Sequence, residues 1–141
     1  MTAPISRLVL PLVALLALPL TGFAGQVTGI INGYNCTKAD KTCPTDRTDP
    51  HLALEPDFVV LTSGGDYYLM PNVPRDSKVR HVLKEVKVTG DIDKQHQAIN
   101  VDELKVKRDG GYETVWSEKW AMEERKRIYE ETRAPGPGMA Q

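Results

Sequence analysis

The sequence predicts a mainly β protein: a small barrel with one short internal helix and a helical extension at its C-terminus. Three features carry that expectation. Short apolar-alternating runs recur along the chain, separated by turns rich in glycine, proline and aspartate. One run, Ile99 to Val106, changes parity midway, which a straight strand with one buried face cannot do. Two stretches, after Pro74 and after Ser117, instead place apolar residues at helical spacing.

At 141 residues, 40% hydrophobic and 26% charged, the chain has the composition of one globular domain. Part of the apolar share belongs to a leader. Residues 1–24 carry a single cation, Arg7, an apolar run from Leu8 to Leu20, and small residues Gly22 and Ala24 before a cleavage point. That run, about 13 residues and containing Pro11 and Pro19, is shorter than the roughly 20 a spanning helix needs. The expectation is a cleaved secretory signal, a periplasmic or secreted mature chain, and no stable membrane span after cleavage. Losing Arg7 takes the formal charge from −1 to −2. A near-neutral chain lacks the basic field that binds a polyanion, so no nucleic-acid partner is expected.

The mature chain begins with a strand over about Gln26 to Tyr34, in which Val27, Gly29, Ile31 and Gly33 alternate with Thr28, Ile30 and Asn32. Glycine at alternate positions lets such a strand coil around a small barrel. Residues 35–56 then form a long irregular loop of Lys, Asp, Thr and Pro. A loop of that length in a small domain is functional, stapled or disordered. Cys36 and Cys43 are the only cysteines, and an exported chain matures where thiols oxidise. A Cys36–Cys43 disulfide is therefore expected, its ring of about eight residues adding roughly 2.5 kcal/mol on the chain-entropy treatment. The alternatives are a metal site completed by His51 or a redox pair, although the cysteine spacing is wider than Cys-x-x-Cys.

Phe58 to Thr62 and Tyr67 to Met70 flank Ser63-Gly64-Gly65-Asp66 and predict a hairpin whose first strand is covered on both faces. No helix or lysine follows the glycine pair to make a phosphate cradle. Pro74 suits a first helical position, and Val79, Val82 and Leu83 predict a short helix over Arg75 to Leu83. His81 within it is expected to be an exposed histidine without a role.

Val86, Val88 and Ile92 keep one parity through Glu85 to Ile92, and Asp93 to Gln97 turns the chain. Ile99 and Val101 share one parity, Leu104 and Val106 the other. A β-bulge at Asp102 and Glu103 returns both pairs to the core and leaves Lys105 and Lys107 in water. After the turn Arg108 to Gly111 comes a last strand, Tyr112 to Trp116, and Ser117 is placed to cap a helix from Glu118 to about Thr132. Glu123 with Arg127 and Lys126 with Glu130 fall at i, i+4 along it. Pro135-Gly136-Pro137-Gly138 opens a disordered tail over 134–141.

The strand count, the bent first strand and the helix before the fourth strand point to a barrel of OB type. The runs VTGIING, SGGDYYL, EVKVTGDIDK and INVDELKV resemble the small exported bacterial OB-fold proteins over about residues 27–106. From the residues, a β domain runs over 25–116 and a helical extension over 117–133 follows it; the resemblance implies that this domain is OB-like and belongs to a periplasmic protein of a family partly linked to envelope stress. It implies binding of ligands or partners rather than catalysis. The family lacks both the cysteine-bearing insert and the tryptophan-bearing helix.

Function classes narrow accordingly. His51, His81 and His96 and the carboxylates show no spacing of a triad, zinc site or carboxylate dyad, so neither an enzyme nor a cofactor is expected. The leading expectation is an exported module that binds a small ligand or an envelope protein. Its candidate binding residues are Tyr34, Tyr67, Tyr68, Trp116 and Trp120, because barrels of this type use one sheet face and its adjacent loops. The alternative is metal or redox handling through Cys36, Cys43 and His51.

Overall fold

A computed structural model describes residues 24–133. The expected leader, apart from Ala24, and the expected tail lie outside them. Strand β1 (Gly25–Gly33) is followed by two short helices, α1 (Tyr34–Lys38) and α2 (Thr48–Leu54), where an irregular loop was expected. Then come β2 (Phe58–Leu61), β3 (Tyr67–Leu69), α3 (Arg75–Val79), β4 (Glu85–Asp93), β5 (Ala98–Arg108), β6 (Gly111–Ser117) and α4 (Glu118–Arg133).

The six strands form one sheet in the order β3-β2-β1-β4-β5-β6, neighbours running antiparallel. A parallel bridge from Leu69 to Ala98 joins β3 back to β5, so five strands make a ring and β6 lies outside β5. The long first strand makes this possible. Its first part, Gly25 to Ile30, pairs with β4, and its last, Ile30 to Gly33, pairs with β2. Inside lie Val27, Ile31, Phe58, Val86, Val88 and Val106, the larger of which each contribute about 1.5–3 kcal/mol by leaving water. Phe58, Val59 and Val60 are all fully buried, as expected for a strand covered on both faces.

The expected bulge is present. Thr89 pairs with Glu103 and Gly90 with Val101, leaving Asp102 unpaired and exposed. Val101 and Leu104 are both fully buried as a result. The bulged backbone presses on Gly90, where a Cβ would overlap the Asn100 carbonyl and the Val101 α-carbon. A second irregularity was not anticipated. Leu104 faces Trp116 and Lys105 faces Thr114, so Val115 is the extra residue on β6. It turns Trp116 into the core, 8% exposed, which removes that residue from the surface aromatics.

Helix α3 stops at Val79 rather than Leu83, and Pro74 occupies its N-cap. The segment after it is pulled out of the helix by β1: Leu83 N–H donates to the Ile31 carbonyl (2.8 Å) and Ile31 N–H to the Lys84 carbonyl (3.2 Å). Lys78 is buried, its Nζ 2.6 Å from Asp57 Oδ1 and donating to the Met70 carbonyl (3.2 Å). His81 is half-buried rather than exposed. Burial first, then the charges of Arg108, Lys84 and Arg80, hold it below the usual histidine range.

Ser117 Oγ accepts the Trp120 N–H (3.2 Å) and so caps α4 as expected. Lys126 pairs with Glu130 (3.7 Å), whereas Glu123 pairs with Lys119 (3.9 Å) and Arg127 with Glu124 and Glu131. Among the described residues, no helix is long and apolar enough to cross a membrane.

Replacing Gly90 by alanine drives a methyl into the bulge and should lower unfolding free energy by about 2–3 kcal/mol. Gly110→Ala meets open space and should stay within about 0.5 kcal/mol of the parent. Urea unfolding of the two variants measures the difference; equal losses would remove the bulge as the cause.

Candidate metal centre

The segment between β1 and β2 is built on hydrogen bonds from side chains far apart in sequence. Helix α1 starts directly after Gly33, which has no side chain to cap it. The carboxylate of Glu55 does so instead, Oε2 accepting the Asn35 N–H (2.7 Å) and Oε1 the Cys36 N–H (3.2 Å). A carboxylate against the exposed N–H groups of a first turn is a charge-assisted cap. Gly33 makes the approach possible, because a Cβ there would lie 2.6 Å from Glu55 Oε1.

The chain reverses after α1 through a Schellman turn. Lys41 N–H donates to the Cys36 carbonyl (2.9 Å) and Asp40 N–H to the Thr37 carbonyl (3.1 Å), with Asp40 at φ 53°. This carries Cys43 back towards Cys36. The buried Asn32 on β1 fixes the returning strand of the turn. Its Nδ2 donates to the Lys41 carbonyl and to Thr37 Oγ1 (both 2.8 Å), and its Oδ1 accepts the Cys43 N–H (2.9 Å). Thr37 in turn donates to the Gly33 carbonyl (2.9 Å).

Helix α2 is anchored by Leu52 in the core and closed at its end by Arg75, which donates to the carbonyls of Leu52 (2.7 Å) and Glu55 (3.0 Å) while lying over the Phe58 ring. A cation on the last carbonyls of a helix is a favourable C-terminal partner. Because His51 and Glu55 are i, i+4, they project to the same side.

Four donors converge there: Cys36 Sγ, Cys43 Sγ, a His51 ring nitrogen and a Glu55 carboxylate oxygen, all within 4.8 Å of one another. Cys36 Sγ is 2.8 Å from His51 Nε2, and His51 Nε2 is 3.2 Å from Glu55 Oε1. Cys43 Sγ accepts the Gly33 N–H (3.2 Å). The expected disulfide is not made: both cysteines are free, Cys36 facing the imidazole and Cys43 the backbone of Gly33. Burial, then hydrogen bonding to Cys43 and Glu55 and their charge, push the Cys36 thiol up to about 12. A thiol in that state is a poor nucleophile, whereas a bound cation deprotonates it outright.

With zinc bonds of about 2.3 Å to sulfur and 2.0–2.2 Å to nitrogen and oxygen, the edges of a tetrahedral site are roughly 3.3–3.8 Å. The four donors, within 4.8 Å of one another, lie near those edges, with the Cys36–His51 pair inside them at 2.8 Å. Cys36, Cys43 and Glu55 are buried and the His51 side chain is 31% exposed, so the imidazole is the solvent side of the cluster.

Of the other candidate residues, Tyr34 and Tyr67 meet edge-on, ring centres 6.2 Å apart, with Lys38 Nζ 5.7 Å from the Tyr67 ring. Tyr68 packs against the core, Trp116 is inside it, and Trp120 stands exposed on α4. These residues do not form one site. Glu55 and Asn32 were missed. The signal for Glu55 was its four-residue spacing from His51; Asn32 offered none beyond a polar residue in an apolar strand. No protein-family model, curated protein or solved structure matches the chain.

Asn32→Ala leaves the Lys41 carbonyl and the Cys43 N–H without partners. It should cost about 2–4 kcal/mol, and native-state hydrogen exchange should show protection lost at Cys43 but kept on β4 and β5. Retained protection at Cys43 would rule out the amide as the clamp.

Proposed function

We propose that the protein is an exported, non-catalytic binding module of the OB type whose ligand is a thiolate-preferring transition-metal ion, zinc first among them. The observation that carries this reading is the convergence of Cys36, Cys43, His51 and Glu55 within 4.8 Å. Two thiolates and an imidazole suit Zn²⁺ or Cu⁺, and the hard carboxylate oxygen favours the divalent ion. Four protein donors describe a closed site, the pattern of a binding or structural centre rather than of one that activates water.

The ring order β1-β2-β3-β5-β4, with α3 between β3 and β4, supports the OB assignment. In that fold the connection between the first two strands is one of the ligand-bearing loops. The donor cluster belongs to that connection, on α1, on α2 and on the segments that follow each. The export reading rests on the leader, and the envelope reading on the resemblance to the small exported OB-fold proteins.

The reduced mature chain, titrated with Co²⁺ as a spectroscopic substitute, should bind one ion and develop thiolate-to-metal absorption, with Zn²⁺ displacing it. Cys36→Ser and Cys43→Ser should each weaken binding by at least ~100-fold and His51→Ala by at least ~10-fold, while Tyr67→Ala leaves it unchanged. A chain that develops no thiolate band would sink the proposal.

A further inference from the structure

We infer that the two cysteines are a redox gate on this site, oxidation to a Cys36–Cys43 disulfide and ion binding being mutually exclusive. The inference rests on the metal-binding reading and goes beyond it. Both states use the same two sulfur atoms. A thiolate committed to a disulfide has no charge and little donor strength left for a cation, and the remaining pair, His51 and Glu55, holds a thiolate-preferring ion poorly.

The geometry allows both states. The sulfurs lie within 4.8 Å, and what separates them is a hydrogen bond on each side, Cys36 to His51 and Cys43 to the Gly33 N–H. The backbone around them is held by other groups. Glu55 fixes the Cys36 N–H and Asn32 fixes the Cys43 N–H. The Schellman turn between them closes on its own hydrogen bonds. The segment's backbone hydrogen bonds do not depend on the covalent bond, and on this inference closing the gap between the sulfurs falls to the two side chains.

The oxidant is a low-molecular-weight disulfide such as oxidised glutathione. Cys43 attacks it as the thiolate, forming a mixed disulfide and releasing one glutathione thiolate; Cys36, giving up its proton, then attacks the Cys43 sulfur of that bond intramolecularly and releases the other. Two cysteine sulfurs lose two electrons in all, and one disulfide is reduced to two thiols after taking up two protons. The ion leaves because both zinc–sulfur bonds are gone. An ion already bound would draw on one lone pair of each sulfur and lower its nucleophilicity, slowing the first attack.

The test uses the reduced mature chain with one Zn²⁺ bound, exposed to oxidised glutathione, with a chromophoric chelator reporting free zinc and alkylation followed by intact mass reporting thiols. One ion should be released for every two thiols lost. The product should be about 2 Da lighter than the reduced chain and carry no glutathione. Thiol loss should be at least ~10-fold slower with zinc than without it, and a dithiol reductant should restore binding. Zinc that stays bound after both thiols are lost would overturn the gate and leave the metal site standing, as would persistent glutathione adducts or intermolecular dimers. A reduced chain that takes up no zinc at the outset would overturn both.

Discussion

Asn32 is the residue on which the seating of the insert against the ring depends. Its amide is fully buried on β1, and of its three hydrogen bonds two go to the segment that follows α1, at Lys41 and Cys43, and one to Thr37 on α1. A buried primary amide is costly unless its donors and acceptor are satisfied, and the insert is what satisfies them. The dependence is mutual. The insert has few apolar residues of its own, so without Asn32 the turn carrying Cys43 would have little to hold it against the strand.

Glu55 makes the complementary attachment from the other end of the insert. Its carboxylate supplies the cap that Gly33 cannot, and Arg75 holds the carbonyls of the turn that presents it. The donor cluster lies between these two attachments. Its four members come together because two polar residues organise backbone around them, with the i, i+4 relation of His51 and Glu55 as the single local rule involved.

That division explains what was legible in the sequence. Strands announce themselves by parity, and the parity break between Val101 and Leu104 located the bulge that Asp102 makes. The cap at Ser117 was legible because it acts on a backbone group three residues away. The insert was not, because helices of five and seven residues are too short to show a helical period. Glu55 caps N–H groups 19 and 20 residues upstream, and no local pattern marks such a contact. Trp116 was misplaced for a related reason: the irregularity at Val115 occurs in a strand with too few apolar residues for a parity change to be visible.

If the insert binds an ion as proposed, its hydrogen bonds set it apart from the many small metal domains in which binding and folding are one event. Helix α1 is capped by the Glu55 carboxylate, which is one of the four candidate donors, and the turn that returns Cys43 is clamped by the Asn32 amide, which is not. If the cluster binds an ion as proposed, these protein–protein hydrogen bonds would meet part of the conformational entropy of bringing four donors together on folding. Such preorganisation separates affinity from stability. On the proposed metal reading, the free energy of coordination would go into holding the ion rather than into folding.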